Sequence, residues 1–170
     1  MRKLMMIVVA LMMATISANA QQAGDFSVGA NASYSFKTKS FAHGIRVQFN
    51  ILRMLRAEIG GDLWTKKDNW QAYDAFFNLH LLIHVSEKFK IYPLAGVGYI
   101  NTKEDGKDYN DEVYNVHVNV PEKSRDNAFG NAGLGLQLNF TPHFGAFAEG
   151  KYQFKDNDQF CASFGLVYIF

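Results

Sequence analysis

Apolar and polar residues alternate along most of this chain with a period of two. Residues 160–170 show it best. Phe160, Ala162, Phe164, Leu166, Tyr168 and Phe170 occupy one face, and Cys161, Ser163 and Gly165 the other. Such a period belongs to a β-strand between two different environments. Seven further segments carry the same pattern: 26–36, 41–49, 55–64, 70–85, 89–100, 127–140 and 144–154. In the first, Phe26, Val28, Ala30, Ala32, Tyr34 and Phe36 oppose Ser27, Gly29, Asn31, Ser33 and Ser35. In the fourth, Asp74, Asn78, His80 and His84 share the face opposite Tyr73, Phe77, Leu79 and Leu81. Pro93 lies inside the fifth segment and predicts a bulge or local irregularity, since proline cannot donate to a ladder.

The connections alternate too. Those around Leu52, Ser86 and Pro142 are short. The intervening ones, 37–40, 65–69, 101–125 and 155–158, are more polar, and 101–125 is much the longest. Eight strands of roughly 9–11 residues with turns short on one side and long on the other fit a transmembrane barrel. A soluble barrel alternates as well, with its apolar face inside. Here the polar face is mostly Gly, Ser, Asn and Gln, which suits a narrow lumen better than a solvated surface. Aromatic residues gather near strand ends, as interfacial girdles do. The expected fold is all-β: an eight-stranded antiparallel up-and-down transmembrane β-barrel. The terminal strand, with no polar tail, is expected to pair with the first, because an open apolar edge recruits other chains.

Residues 1–20 read as a cleaved signal peptide. Arg2 and Lys3 precede an apolar run, and Ala18-Asn19-Ala20 places cleavage between Ala20 and Gln21. The run is too short for a spanning helix, which needs roughly 20 residues. The mature chain, 21–170, is one barrel domain. Its 17 basic and 16 acidic residues, counted with the leader, nearly balance, so nothing points to nucleic acid. The single cysteine, Cys161, allows no internal disulfide and suits a small packed position.

Tyr92-Pro93-Leu94-Ala95-Gly96-Val97-Gly98-Tyr99, Gly130-Asn131-Ala132-Gly133-Leu134-Gly135 and the terminal Val167-Tyr168-Ile169-Phe170 complete the picture. With them the mature chain resembles the small outer-membrane β-barrel family, the OmpA/OmpX-like porin-type domain. The resemblance implies residence in a bacterial outer membrane, contact with its lipid and lipopolysaccharide, and a monomer. It also implies that Tyr168 and Phe170 serve as the signal read by the barrel-assembly machinery.

Five inward charges, Arg46, Arg56, Glu58, Glu149 and Lys151, are expected to form a buried network, because an isolated buried charge is very costly. A gated ion path is the sharper reading of the same residues. His80 and His84 stand about 13 Å apart at strand rise, too far for one metal, so no metal site and no cofactor are expected. His43 near Ser35 and Ser40 raises a membrane lipid hydrolase. A close pairing of nucleophile and base is missing, so no catalysis is expected. The glycines of 130–135 lie within a strand, which excludes a phosphate-binding loop. Asp105, Lys107, Asp108, Tyr109, Asp111, Glu112 and Tyr114 in the long outer loop are the candidate surface for an extracellular ligand. The functional expectation is a structural or surface-interaction protein. A narrow porin-like channel, a lipid hydrolase and a soluble lipocalin-like carrier are the alternatives.

Overall fold

The computed structural model describes residues 23–67, 70–104, 108–111, 116–119, 123–154 and 158–170. The leader, and with it Ala20 and Gln21, lies outside these.

Eight long strands close into one barrel. They are β1 (Phe26–Ser35), β2 (Ser40–Leu52), β3 (Leu55–Lys67), β4 (Trp70–Leu81), β6 (Phe89–Glu104), β9 (Lys123–Asn139), β10 (Phe144–Phe154) and β11 (Gln159–Ile169). A two-residue β5 (Ile83–His84) continues β4, and β7 (Asp108–Asp111) pairs with β8 (Val116–Asn119) in a separate hairpin. Neighbours pair antiparallel around the ring, and β4 pairs with β6 across the short β5 turn. The first and last strands make the seam, in register from Ser27↔Ile169 to Ser35↔Cys161. Phe170 extends it, donating its backbone N–H to the Phe26 carbonyl at 2.9 Å while the two rings stand 5.7 Å apart. Among the described residues no sheet edge is left open in the wall, the condition for crossing lipid with strands.

The alternation resolves into an apolar outside and a polar inside. Ile45, Leu134 and Phe164 are 69%, 64% and 62% exposed, whereas Arg46, Arg56 and Glu58 are each 0% exposed. A soluble carrier would need the reverse, with charge outside and an apolar cavity within, so the lipocalin-like alternative falls. Aromatic contacts collect at the two rims. Tyr34, Phe36, Phe41 and Phe160 cluster at one, and Phe26, Phe144, Tyr168 and Phe170 at the other. These are the interfacial girdles of a spanning barrel.

Several boundaries differ from the sequence reading. Residues 65–67 continue β3; Trp64, on the inner face that alternation gives it, donates its indole N–H to Asp74 at 2.7 Å. The long outer connection is shorter than 101–125. β6 and β9 stay paired as far as Glu104↔Lys123, and part of the remainder forms the β7–β8 hairpin. Backbone pairing continued outward despite the polar sequence. Pro93 causes no shift of register: it pairs with Leu134 in an unbroken β6–β9 ladder. The interruption falls on its other side, where the long fourth strand breaks at Leu82 between β4 and β5. His84 lies opposite Lys90 by register but at the open rim, and it is exposed rather than enclosed.

Glycines make room for the aromatic rings that fill the lumen. Phe76, Tyr92, Phe129 and Phe147 are buried, and each lies directly across the ladder from a glycine: Gly60, Gly135, Gly98 and Gly165 respectively. A Cβ at any of the four would fall within 3.0 Å of the opposite ring. Large and small residues thus interdigitate across neighbouring strands, the arrangement that packs a curved sheet densely.

Candidate functional site in the barrel lumen

The charged centre of the lumen is built from strands on opposite sides of the ring. Arg46 on β2 points its Nη1 at two carboxylates, 2.8 Å from Glu149 Oε2 on β10 and 3.2 Å from Glu58 Oε2 on β3. Its Nε donates to Asn31 Oδ1 at 3.3 Å, and the guanidinium lies 4.2 Å from the centre of the Phe147 ring. Glu58 also accepts from Gln48 Nε2 at 2.7 Å and from Asn78 Nδ2 at 3.0 Å. Glu149 accepts from the Tyr92 hydroxyl at 2.9 Å, and Lys151 Nζ stands 3.6 Å away. Each carboxylate therefore has both a cation and neutral donors. Buried ions need this to offset lost hydration.

Arg56 joins the same network through neutral partners. It donates to His80 Nδ1 from Nε and Nη2, at 3.1 and 2.9 Å, and to Gln137 Oε1 from Nη1 at 2.6 Å. Accepting at Nδ1 requires a lone pair there, so the ring carries its proton on Nε2, which stands 3.5 Å from Glu58 Oε1. The imidazole stacks on Tyr92 at 4.8 Å between ring centres, and the Arg56 guanidinium beside it stands 4.7 Å from the centre of the same ring. A second carboxylate pair, Asp62 and Asp74, sits directly opposite across β3 and β4 and is held by Asn31, Ser33 and Trp64.

All five charges expected in the lumen are buried there, and four of them meet directly. Arg56 is the fifth, tied in through His80. Gln48, Asn78, His80, Tyr92 and Gln137 join the network beyond the five expected charges. A signal existed for three of them, because hairpin register places Gln48 and Asn78 opposite Glu58, and His80 opposite Arg56. Tyr92 and Gln137 reach it only across the closed ring.

Glu58, His80 and Glu149 bring possible ligand atoms within 4.8 Å of one another. The Arg46 guanidinium already stands between the two carboxylates and supplies the positive charge. Apolar layers bracket this centre. Trp64, Phe76, Ile100 and Phe129 pack toward the outer end, and Leu82, Tyr92 and Leu94 toward the inner end.

The hydrolase arrangement does not assemble. His43 is exposed on the outer face of β2, while Ser35 and Ser40 are buried on the lumen side. Ser35 Oγ donates to Gln159, and Ser40 Oγ is bonded to Thr38. Imidazole and hydroxyls lie on opposite sides of the wall. Cys161 is buried with its Sγ 3.7 Å from Gln153 Oε1, a packed position. In the outer loop, Asp108, Tyr109 and Asp111 fall in β7, whereas Asp105, Lys107, Glu112 and Tyr114 lie outside the described residues.

No family model matches the sequence, and no curated protein does. Solved structures do match. The N-terminal β-barrel domain of Pseudomonas aeruginosa OprF superposes with a TM-score of 0.71 at 14% identity, covering 88% of this chain and 100% of that one. This chain has the fold of the small outer-membrane β-barrels. Neisserial surface protein A matches at a TM-score of 0.64 and 11% identity, over 88% of this chain and 98% of its own. Ail, the attachment invasion locus protein of Yersinia pestis, matches at 0.56 and 15%, over 88% and 100%. Ail has also been solved with the heparin analogue sucrose octasulfate. At such identities the likeness concerns the fold. The fold is that of proteins of the bacterial outer membrane, and the barrel's apolar outer face is built for that setting.

Proposed function

We propose that this protein is a monomeric resident of the outer membrane with a structural or surface-interaction role, presenting its outer loops from a rigid barrel. The observation that carries this reading is the filled lumen. Arg46, Glu58, Glu149 and Lys151 occupy its centre, and apolar side chains pack above and below them. An eight-stranded barrel has room for little beyond such side chains. Function then falls to the wall, in contact with lipid and lipopolysaccharide, and to the outer connections.

The longest of those connections carries Asp105, Lys107, Asp108, Tyr109, Asp111, Glu112 and Tyr114. Acidic residues dominate this set, which favours a cationic partner, or divalent ions bridging to lipopolysaccharide, over a polyanion of the kind solved with Ail. Tyr168 and Phe170 are read as the assembly signal, and the leader as the export signal cleaved between Ala20 and Gln21.

The reading is tested in two steps. Outer-membrane fractions run heated and unheated on a gel should give a band whose mobility changes on boiling, as a closed barrel's does. Cells expressing the protein, and cells expressing a variant lacking residues 105–122, are then compared for binding of a cationic peptide. Binding that disappears with the loop supports the surface role. Discrete conductance steps from the purified barrel in planar bilayers would instead favour the narrow channel.

A further inference from the structure

A groove of about 640 Å³ crosses the outside of the barrel wall. Two adjacent rows of paired residues make it. One runs Phe41, Tyr34, Ala162, Gly150, Leu134, and the next runs Ala32, Phe164, Ala148, Leu136, Ile91. Ala162, Gly150 and Ala148 are the floor. Tyr34, Phe164 and Leu134 stand up around it, and the Phe160 ring leans over Gly150, 3.0 Å from where a Cβ would sit. Glu149 and Ser163 border the groove only through the wall, because both side chains are buried on the lumen side. Side-chain polarity is thus almost absent from it.

We propose that this groove holds a single acyl chain of a membrane lipid. The proposal rests on the reading of the barrel as membrane-embedded, since the groove is continuous with the lipid-facing belt. Its dimensions suit a chain. Each row passes over five strands, about 19 Å at the usual strand spacing. Strands tilted about 45° carry such a row through roughly 14 Å of depth, close to half of a core about 30 Å thick. A chain lying along it therefore spans about one leaflet. The other candidate occupant, a second copy of the barrel, fits poorly. A two-fold contact with its axis through the groove would place recess against recess and leave a void, whereas stable contacts are close-packed. A chain is held by packing rather than by exclusion of water, because its alternative surroundings are also hydrocarbon.

The test compares the wild-type barrel with Ala162→Phe, which fills the floor, and with Ala75→Phe, an exposed outward alanine on β4 away from the groove. Each is placed in nanodiscs of dipalmitoylphosphatidylcholine and transferred to mild detergent. Retained lipid per barrel is then counted by native mass spectrometry. The wild type and Ala75→Phe should keep one lipid, and Ala162→Phe should keep it about tenfold less often. Heat-dependent gel mobility shows that each variant is folded, and Ala148→Phe, from the same floor, serves if Ala162→Phe is not. Equal retention in all three proteins, or none in the wild type, overturns the proposal. So does a two-chain mass that Ala162→Phe returns to one, which would assign the groove to a second copy. Failure of the membrane reading is separately visible, because then none of the proteins would enter nanodiscs.

Discussion

Arg46 and Glu149 meet across the lumen at 2.8 Å although 103 residues separate them in the chain. Closure of the barrel makes that contact possible. Once made, it ties β2 to β10 through the interior, on strands that are not neighbours in the wall. Glu58 on β3 shares the same guanidinium nitrogen, so one cation joins three strands.

Removing one carboxylate should therefore be costly. Glu149→Ala leaves the Arg46 guanidinium and the Tyr92 hydroxyl each short of a partner. We expect a loss of about 3–5 kcal/mol, the range for breaking a buried pair. Glu58→Ala, which also strands Gln48 and Asn78, should lie in the same range. Both variants should still assemble, because the wall ladders are untouched. The temperature at which the heat-shifted gel band appears reports the change. Unaltered profiles for both would remove the network from any account of stability.

The Arg46–Glu149 coupling itself is read by a double-mutant cycle. Arg46→Met combined with Glu149→Leu should recover part of what either change alone loses. The pair removes both of these desolvated charges, while the cost of leaving Glu58 without Arg46 enters both Arg46→Met legs and cancels in the cycle. Urea unfolding in lipid vesicles supplies the four free energies. Strict additivity would mean that the two residues act independently.

Glycine substitutions should separate by what lies opposite. Gly135→Ala drives a methyl into the Tyr92 ring, and Gly165→Ala does the same to Phe147. Overpacking of this kind costs about 1–3 kcal/mol. Gly130→Ala meets its nearest neighbour, Phe154, only at 3.8 Å and should stay within about 0.5 kcal/mol of wild type. The same unfolding measurement ranks all three.

A charge on the outer wall probes which face meets lipid. Ile45 lies midway along β2 and is exposed. Ile45→Arg should lower folding stability in vesicles by about 2–4 kcal/mol, the cost of a cation near the midplane. A substitution without effect would mean that the face is solvated.

The assembly role of the terminal aromatics can be distinguished from their packing. Phe170→Ala removes the ring contact with Phe26, worth about 0.5–1.5 kcal/mol in vitro. If Tyr168 and Phe170 form the assembly signal, Tyr168→Ala with Phe170→Ala should reduce the folded, heat-shiftable fraction in cells far more than it slows folding into pure lipid vesicles. Equal effects in both settings would leave only the packing role.

The sequence by itself determined the strands and their two faces. A two-residue period needs no partner to be read, because side chains on a strand alternate whatever the strand pairs with. For that reason Phe164 and Leu166 could be placed opposite Ser163 and Gly165 from the sequence alone. Short and long connections set the strand order in the same local way, and hairpin register already brought Glu58 beside Gln48 and Asn78. Only the tertiary structure decided what meets across the ring. Glu149 joins Arg46, and Tyr92 reaches Glu149, because β1 and β11 close the seam and bring distant strands around one narrow lumen. Closure also set Tyr34 and Phe41 of the first hairpin beside Ala148, Gly150 and Ala162 of the last. By contrast, alternation sorts His43 from Ser40, three residues away on β2, and from Ser35 on the inner face of β1. Alternation is a property of one strand, whereas a lumen network and a groove are properties of the curvature that several strands share.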